Sequence, residues 1–317
     1  MKQYQIYCDD YQEGMWFREL SPRLSGAELT EIPSYKKAAG LGLSGVLKYD
    51  RPDIILQDGK RAILVLERTS EVPSGHNVGQ RYGRLLAAAE ERVPVVYFGP
   101  YAAYKHGGNT AGPRYMNLRL FYSLRNVSEM FDTAVTTINW PVNQDFEVLR
   151  TPEKDQRVRK YLKLFFSYYE AHGMDGLTEY IKNSSFQEEQ YREQARFAKH
   201  MVRSPEQYDI PPKSVELLAW RDFCRDAGIS VERPRAEEPA VLYHIGMRHI
   251  RSDPYAGMAG LYKYLYCRND ASLILHFARI KQKEWSELQP ESKTYRMYKA
   301  FADVIWFQDG VIPKSKL

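Results

Sequence analysis

The stretch RPDIILQDGKRAILVLERTSE, residues 51–71, decides the fold. Two runs rich in aliphatic and β-branched residues, PDIIL and KRAILVLERT, flank Gln57-Asp58-Gly59. A glycine there suits the left-handed position that closes a three-residue hairpin loop. Both faces of the second run are apolar, with Ile63 and Val65 on one and Ala62, Leu64 and Leu66 on the other. That is the pattern of a strand covered on both sides. Acids stand at the far end of the hairpin: Asp53 on the first run, Glu67 and Glu71 on the second. Carboxylates beside an apolar sheet are costly unless a cation meets them, so either arginines or a metal ion must do so.

Side-chain parity decides whether those acids can meet. With the three-residue loop, Leu56 pairs with Lys60, and Asp53 lies across from Ile63. Asp53 then shares a face with Val65, Glu67, Thr69 and Glu71. A two-residue Asp58-Gly59 loop would shift the register by one and put Arg68 on that face in place of Glu67.

Outward from the hairpin, LSGVLKYDR (residues 43–51) reads as a strand preceding it. VGQRYGRLLAAAEER (78–92) has helical spacing, VPVVYFGP (93–100) is a short apolar strand, a helix covers 118–130 and a strand 133–142. This order gives an α/β sandwich. Residues 155–228 read as mostly helical, including SVELLAWRDFCRDAG, with Ser-Pro and Pro-Pro breaks. VERPRAEEPA (231–240) reads as a linker. Beyond it come a strand, a turn at Asp253-Pro254, a Tyr-rich helix and the strand SLILHFARI. The expected organisation is a core over 1–145, a helical region over 146–235 and a smaller C-terminal α+β part over 236–317.

With 317 residues and 44% apolar content, the chain can build a real core, which excludes disorder. Lys and Arg number 45 against 40 Asp and Glu, a net charge of +5 that permits a polyanion partner. Cys8, Cys224 and Cys267 have no zinc-cage or disulfide spacing, which fits a reducing interior. The N-terminus lacks the apolar segment of a signal peptide, and no apolar run approaches the roughly 20 residues needed to cross a bilayer. A soluble cytoplasmic protein without a membrane partner is expected. No Gly-rich phosphate loop appears, so no nucleotide cofactor is expected.

Pro52-Asp53, followed by Glu67-x-Thr69 and then a helix opening Gly79-Gln80-Arg81, resembles the PD-(D/E)xK nuclease superfamily, which has the restriction-endonuclease-like fold. The resemblance covers about the first 145 residues and is strongest over 43–100. It implies a mixed-sheet sandwich core in which Asp53 and Glu67 bind Mg²⁺. A hard, oxygen-seeking ion of that kind lowers the pKa of a bound water and stabilises charge growing on a phosphodiester oxygen. In the family a Lys two residues after the Glu helps activate water, and here that position is Thr69. The superfamily tolerates other residues there or recruits a Lys from elsewhere, so Lys48 is the substitute implied, with Glu71 as an additional metal or water contact. The resemblance also implies a type II restriction endonuclease acting on double-stranded DNA as a homodimer, since two-fold symmetry lets each subunit cut one strand.

Gln80 and Arg84 lie four apart on one helical face with Arg81 beside them, and are expected to contact substrate phosphates. The pair is similar to the Gln-x-x-x-Tyr element of some nuclease branches, with Arg84 in place of Tyr. His76 and Asn77 in the preceding loop are expected to line the cleft. Arg248, His249 and Arg251 crowd a turn and are the better candidates for reading bases. Arg157, Arg159, Lys160 and Lys163 read chiefly as a solvated helix face. His244 and His249 lack the tight spacing of a zinc site.

Three other readings stand beside these. Glu67 could be a structural acid paired with Arg68 or Arg81 at the sheet rim. The enzyme could act on branched or single-stranded DNA in repair or defence. Or Thr69 could mark a lost activity, leaving a non-catalytic nucleic-acid-binding protein with the same fold.

Overall fold

A computed structural model describes residues 3–75, 77–104, 112–230, 239–250, 253–267 and 271–317. The chain forms two units, residues 1–75 with 84–203 and residues 76–83 with 204–317. Both are mixed α/β. Among the described residues no helix is long and apolar enough to cross a membrane.

In the first unit the order begins β1 (Tyr4–Cys8), α1 (Tyr11–Glu19), β2 (Glu28–Glu31), α2 (Tyr35–Ala38), β3 (Ile54–Asp58) and β4 (Arg61–Arg68). It continues with α3 (Asn77–Glu90), whose residues up to Gly83 belong to the second unit, then β5 (Val95–Gly99), β6 (Ala102–Ala103), β7 (Arg114–Tyr115), α4 (Leu118–Met130) and β8 (Val135–Asn139). Helices α5 (Gln156–His172), α6 (Leu177–Lys182) and α7 (Ser185–His200) close the unit. The sheet runs β2-β1-β3-β4-β5-β8. β1, β3 and β4 form an antiparallel meander, and β5 and β8 continue parallel to β4. Residues Ala62 to Leu66 of β4 are buried throughout, as a central strand requires.

The segment 43–51 is not a strand. The amide of Leu47 donates to the carbonyl of Leu43 at 3.1 Å and that of Lys48 to Gly45 at 3.1 Å, which makes tight turns. Its buried apolar residues, Leu43, Val46 and Leu47, sit at i, i+3 and i+4, the period of a turn of helix rather than the alternation of a strand. The strand beside β3 is instead β1, in the N-terminal region.

The hairpin register also differs from the expected one. Asp58 pairs with Arg61 across a tight Gly59-Lys60 turn, while Leu56 pairs with Leu64, so Ile63 is an extra, unpaired residue of a β-bulge. The turn alone would have set Asp53 against Leu66 and sent Glu67 to the opposite face. The bulge restores the parity: Ile54 pairs with Leu66, and Asp53, one residue before it, comes level with Glu67. Asp53 therefore shares Glu67's face by a route different from the three-residue loop, and it does not lie across from Ile63.

One face of this sheet carries a core of Ile6, Leu56, Leu64, Leu66 and Phe98 against Phe17 of α1 and Phe165 of α5. The helical region read over 146–235 is thus divided, its residues up to Arg203 belonging to the first unit.

The second unit contains β9 (Val215–Ala219), α8 (Trp220–Ala227), β10 (Pro239–His244), α9 (Asp253–Tyr266), β11 (Ser272–Phe277), α10 (Gln282–Ser286), α11 (Lys293–Phe301), β12 (Val304–Phe307) and β13 (Gly310–Pro313). Its sheet runs β13-β12-β11-β10-β9, three parallel strands with an antiparallel strand at each edge. VELLA, read as helix from its sequence, is strand β9: it pairs with β10, and tertiary pairing overrides the good helix propensity of Glu, Leu and Ala. Asp253-Pro254 is not a turn but the start of α9, where a proline's missing N–H costs nothing. The linker read over 231–240 lies outside the described residues up to position 238.

Within this unit Gly79 and Gly257 are in backbone contact. A Cβ on Gly257 would collide with the Gly79 carbonyl oxygen, and one on Gly79 would collide with the Pro254 carbonyl oxygen. Neither backbone can retreat without moving a helix. Gly257→Ala should therefore cost about 1–3 kcal/mol through overpacking, visible as a lowered melting temperature. A variant that melts with the wild type would show that the helices are not this close.

Candidate active site

Glu67, next to the last residue of β4, has its side chain wholly buried, and Asp53, directly before β3, is 8% exposed. A buried carboxylate requires a cation. That cation is Arg84 of α3. Its Nη1 lies 3.1 Å from Glu67 Oε1, 3.4 Å from Glu67 Oε2 and 3.4 Å from Asp53 Oδ1, while its Nε lies 3.4 Å from Asp50 Oδ2. Burial would push the guanidinium pKa down, but Glu67, Asp50 and Asp53 together hold it above its ordinary value. Arg84 is thus fully charged and neutralises part of a three-carboxylate cluster. The partner expected for a structural Glu67 was Arg68 or Arg81, and Arg84 was expected on a phosphate; the structure sets Arg84 among the carboxylates.

Asp53 is aimed by a second contact, the Arg68 backbone amide donating to Oδ2 at 2.5 Å. Asp53 and Glu67 therefore focus oxygens on one point, the position of Arg84 Nη1. Hard oxygen donors delivered by adjacent strands are the right chemistry for a divalent cation. Among the described residues, no three His, Cys, Asp or Glu side chains are gathered as a metal-ligand set. The pair fits a metal ion in donor type and convergence, on the condition that Arg84 leaves the focus.

Most of the other residues expected here are engaged elsewhere or exposed. Thr69 is buried, with its hydroxyl donating to the carbonyl of Glu71 and accepting from the Glu71 amide. It caps its own turn. Glu71 is exposed. Lys48 Nζ lies 3.0 Å from Glu90 Oε2, and the same carboxylate accepts from the Tyr49 hydroxyl at 2.8 Å, so Lys48 does not stand as the substitute lysine. The tight turns over 43–48 direct it to the C-terminal end of α3. Gln80 is exposed and Arg81 half-buried. Arg248 and His249 are exposed in bends of the second unit. His76, Arg251 and the side chain of Asn77 lie outside the described residues. Of the basic set on α5, Arg157 pairs with Glu193, Lys160 with Glu189 at 2.9 Å, and Arg159 donates to the Glu19 carbonyl at 2.7 Å.

Asp50 belongs to the cluster, and Glu13 stands beside Arg68 within electrostatic range of Asp53; nothing in the sequence marks either as a site residue. Glu13 lies in the first turn of α1, whose cap Asp10 accepts from the Gln12 and Glu13 amides at 2.8 and 3.2 Å. Asp10 followed by Glu13 is a legible helix-start signal, but nothing local shows that the helix faces Asp53. Burial, then the charge of Asp53, pushes the Glu13 pKa up to about 7, against the opposing pull of Arg68 at 3.7 Å.

A carboxyl whose pKa is raised on folding lends stability that is complete below its unfolded value and is lost as pH climbs through the folded one. Here the loss spans the window from the ordinary glutamate range up to about 7. Glu13→Gln should therefore raise the melting temperature at pH 8 and change it little at pH 4. Equal effects at the two pH values would disprove the raised pKa.

Comparison with protein-family models, curated proteins and solved structures returned no match to this chain.

Proposed function

We propose that the chain is a Mg²⁺-dependent endodeoxyribonuclease of the PD-(D/E)xK superfamily, a type II restriction endonuclease that hydrolyses double-stranded DNA. One observation carries the reading: Asp53 and Glu67, from adjacent strands, aim their oxygens at a single cationic atom. The order of elements supports it, an antiparallel β3–β4 hairpin followed by α3 and a strand parallel to β4.

In this reading Asp53 and Glu67 would hold the metal, which would supply an acidified water and charge stabilisation at the phosphodiester. The Arg68 amide keeps Asp53 in its rotamer. A metal ion and Arg84 Nη1 could not share the focus, so a bound ion would require the guanidinium to leave it, with Asp50 beside Nε as its remaining partner. Arg248 and His249 are the candidates for DNA contact in the second unit. A homodimer and a cytoplasmic setting complete the proposal.

A second reading has its own support. Thr69 and Lys48 are both engaged elsewhere, and Arg84 itself neutralises the carboxylates. That arrangement suits a nucleic-acid-binding protein that does not cut.

Purified protein incubated with duplex DNA and Mg²⁺ separates the two. Discrete fragments support the nuclease, and Asp53→Ala or Glu67→Ala should abolish them while leaving most DNA affinity. Retarded but intact DNA supports the second reading. Metal binding is testable without activity. Arg84→Ala leaves buried carboxylates uncompensated and should cost about 3–5 kcal/mol in metal-free buffer. Mg²⁺ or Mn²⁺ should then raise the melting temperature of Arg84→Ala by more than it raises that of the wild type. An Arg84→Ala variant whose melting ignores both ions would remove the metal site.

A further inference from the structure

On the other face of the sheet from Glu67, the first unit has a cavity of about 520 Å³ lined by Arg68, Ser70, Trp140, Val148, Arg150 and Lys154. Three of the six are cations, and their setting is rigid. Trp16, Phe98 and Trp140 form a stack, with centroids 6.0 and 4.7 Å apart and planes within 6° of parallel. The Arg68 guanidinium lies 4.3 Å from the Trp16 ring and 5.1 Å from Trp140, and Lys154 Nζ lies 5.8 Å from Trp140. Trp140 is fixed in turn by its indole N–H donating to the Leu149 carbonyl at 2.7 Å.

The acids fixed beside this cavity leave Arg68 its donors. Asp155 accepts from Lys154 at 2.8 Å and from the Trp16 indole at 3.0 Å. Glu13 stands 3.7 Å from Arg68 Nη1, beyond hydrogen-bond reach, so the guanidinium donors are not consumed by it. A guanidinium held flat on aromatic rings keeps its N–H edge for a planar or tetrahedral oxyanion. Arg68 directly follows Glu67, and its amide donates to Asp53, so the cavity and the carboxylate focus occupy opposite faces of the same strand end.

We infer that the Arg68, Arg150 and Lys154 cavity is a phosphate site that seats a backbone phosphate of a nucleic-acid strand. This rests on the reading that the chain acts on nucleic acid, but it does not require that the strand be cut.

The test is binding of fluorescent duplex DNA in metal-free buffer across about 50–200 mM salt, using wild type, Arg68→Gln and the double variant Arg150→Ala/Lys154→Ala. The double variant removes the exposed Arg150 and also Lys154, the cation paired with buried Asp155, and gives a second test beside Arg68→Gln; a melting curve verifies that each variant is folded. The double variant should bind about tenfold more weakly or worse. The slope of log affinity against log salt should shrink by about 0.9 for each phosphate no longer neutralised. Arg150→Lys combined with Lys154→Ala, which returns one charge to the double variant, should recover part of both. Unchanged affinity and slope in the double variant would overturn the inference. So would a cavity that takes up inorganic phosphate, followed by ³¹P line broadening, while the variants still bind DNA like the wild type, since that is a free-anion site. Because no metal is present, failure of the nuclease reading shows separately: DNA binding that falls in the variants while the wild type never cuts leaves the phosphate site standing.

Discussion

The Glu67 carboxylate has no exposure, and a charge in that position must be met by a cation or not exist. Arg84 supplies the cation, and the geometry around it is set by that need. The middle of α3 must approach the ends of β3 and β4, Asp53 must come level with Glu67, and Asp50 must turn inward to share the guanidinium. The pair is therefore both a structural clamp and a description of the site's chemistry. Any ligand that enters the focus of the two carboxylates has to be positively charged, and it has to compete with a guanidinium already charged and partly desolvated.

The two faces of the sheet divide the work at this end. On one, carboxylates converge and attract cations. On the other, Arg68 lies over an aromatic stack and presents positive charge to a cavity. Alternation along β4 produces the division, since Glu67 and Arg68 are neighbours in sequence and point to opposite sides. Asp53 links the faces, one oxygen toward Arg84 and the other held by the Arg68 amide. Acidic and basic groups thus stand on opposite faces of one strand end.

Much of this was legible from residues 51–71 and the segments immediately C-terminal to them. The apolar runs located β3, β4 and β5, and helical spacing located α3 and α4, because these elements are long, strongly patterned and bounded by turn residues. The pair Asp53 and Glu67 was legible as an anomaly, acids beside an apolar sheet. Other features depended on partners distant in sequence. The N-terminal strand β1 is not legible because its five residues, YQIYC, have no meaning until they pair with β3. β9 reads as helix from its composition, and only pairing with β10 makes it a strand. Arg84 rather than Arg68 or Arg81 meets Glu67 because the approach of α3 decides it, and no local spacing encodes that approach. Glu13 is far from Asp53 along the chain, and the Asp10 cap marked only where its helix begins.

The extra residue at Ile63 has an evolutionary corollary. A hairpin that reaches correct facing by pairing a tight turn with a compensating kink cannot lose either device alone. Deleting one residue from the loop, or one near Ile63, would send Glu67 into the Phe98 layer and Arg68 into the acidic cluster, exchanging charge between the two sides. Only paired length changes, one in the loop and one in the strand, keep the polarity. Descendants of this sequence should therefore keep a residue count between Asp53 and Glu67 that stays fixed or moves in even steps.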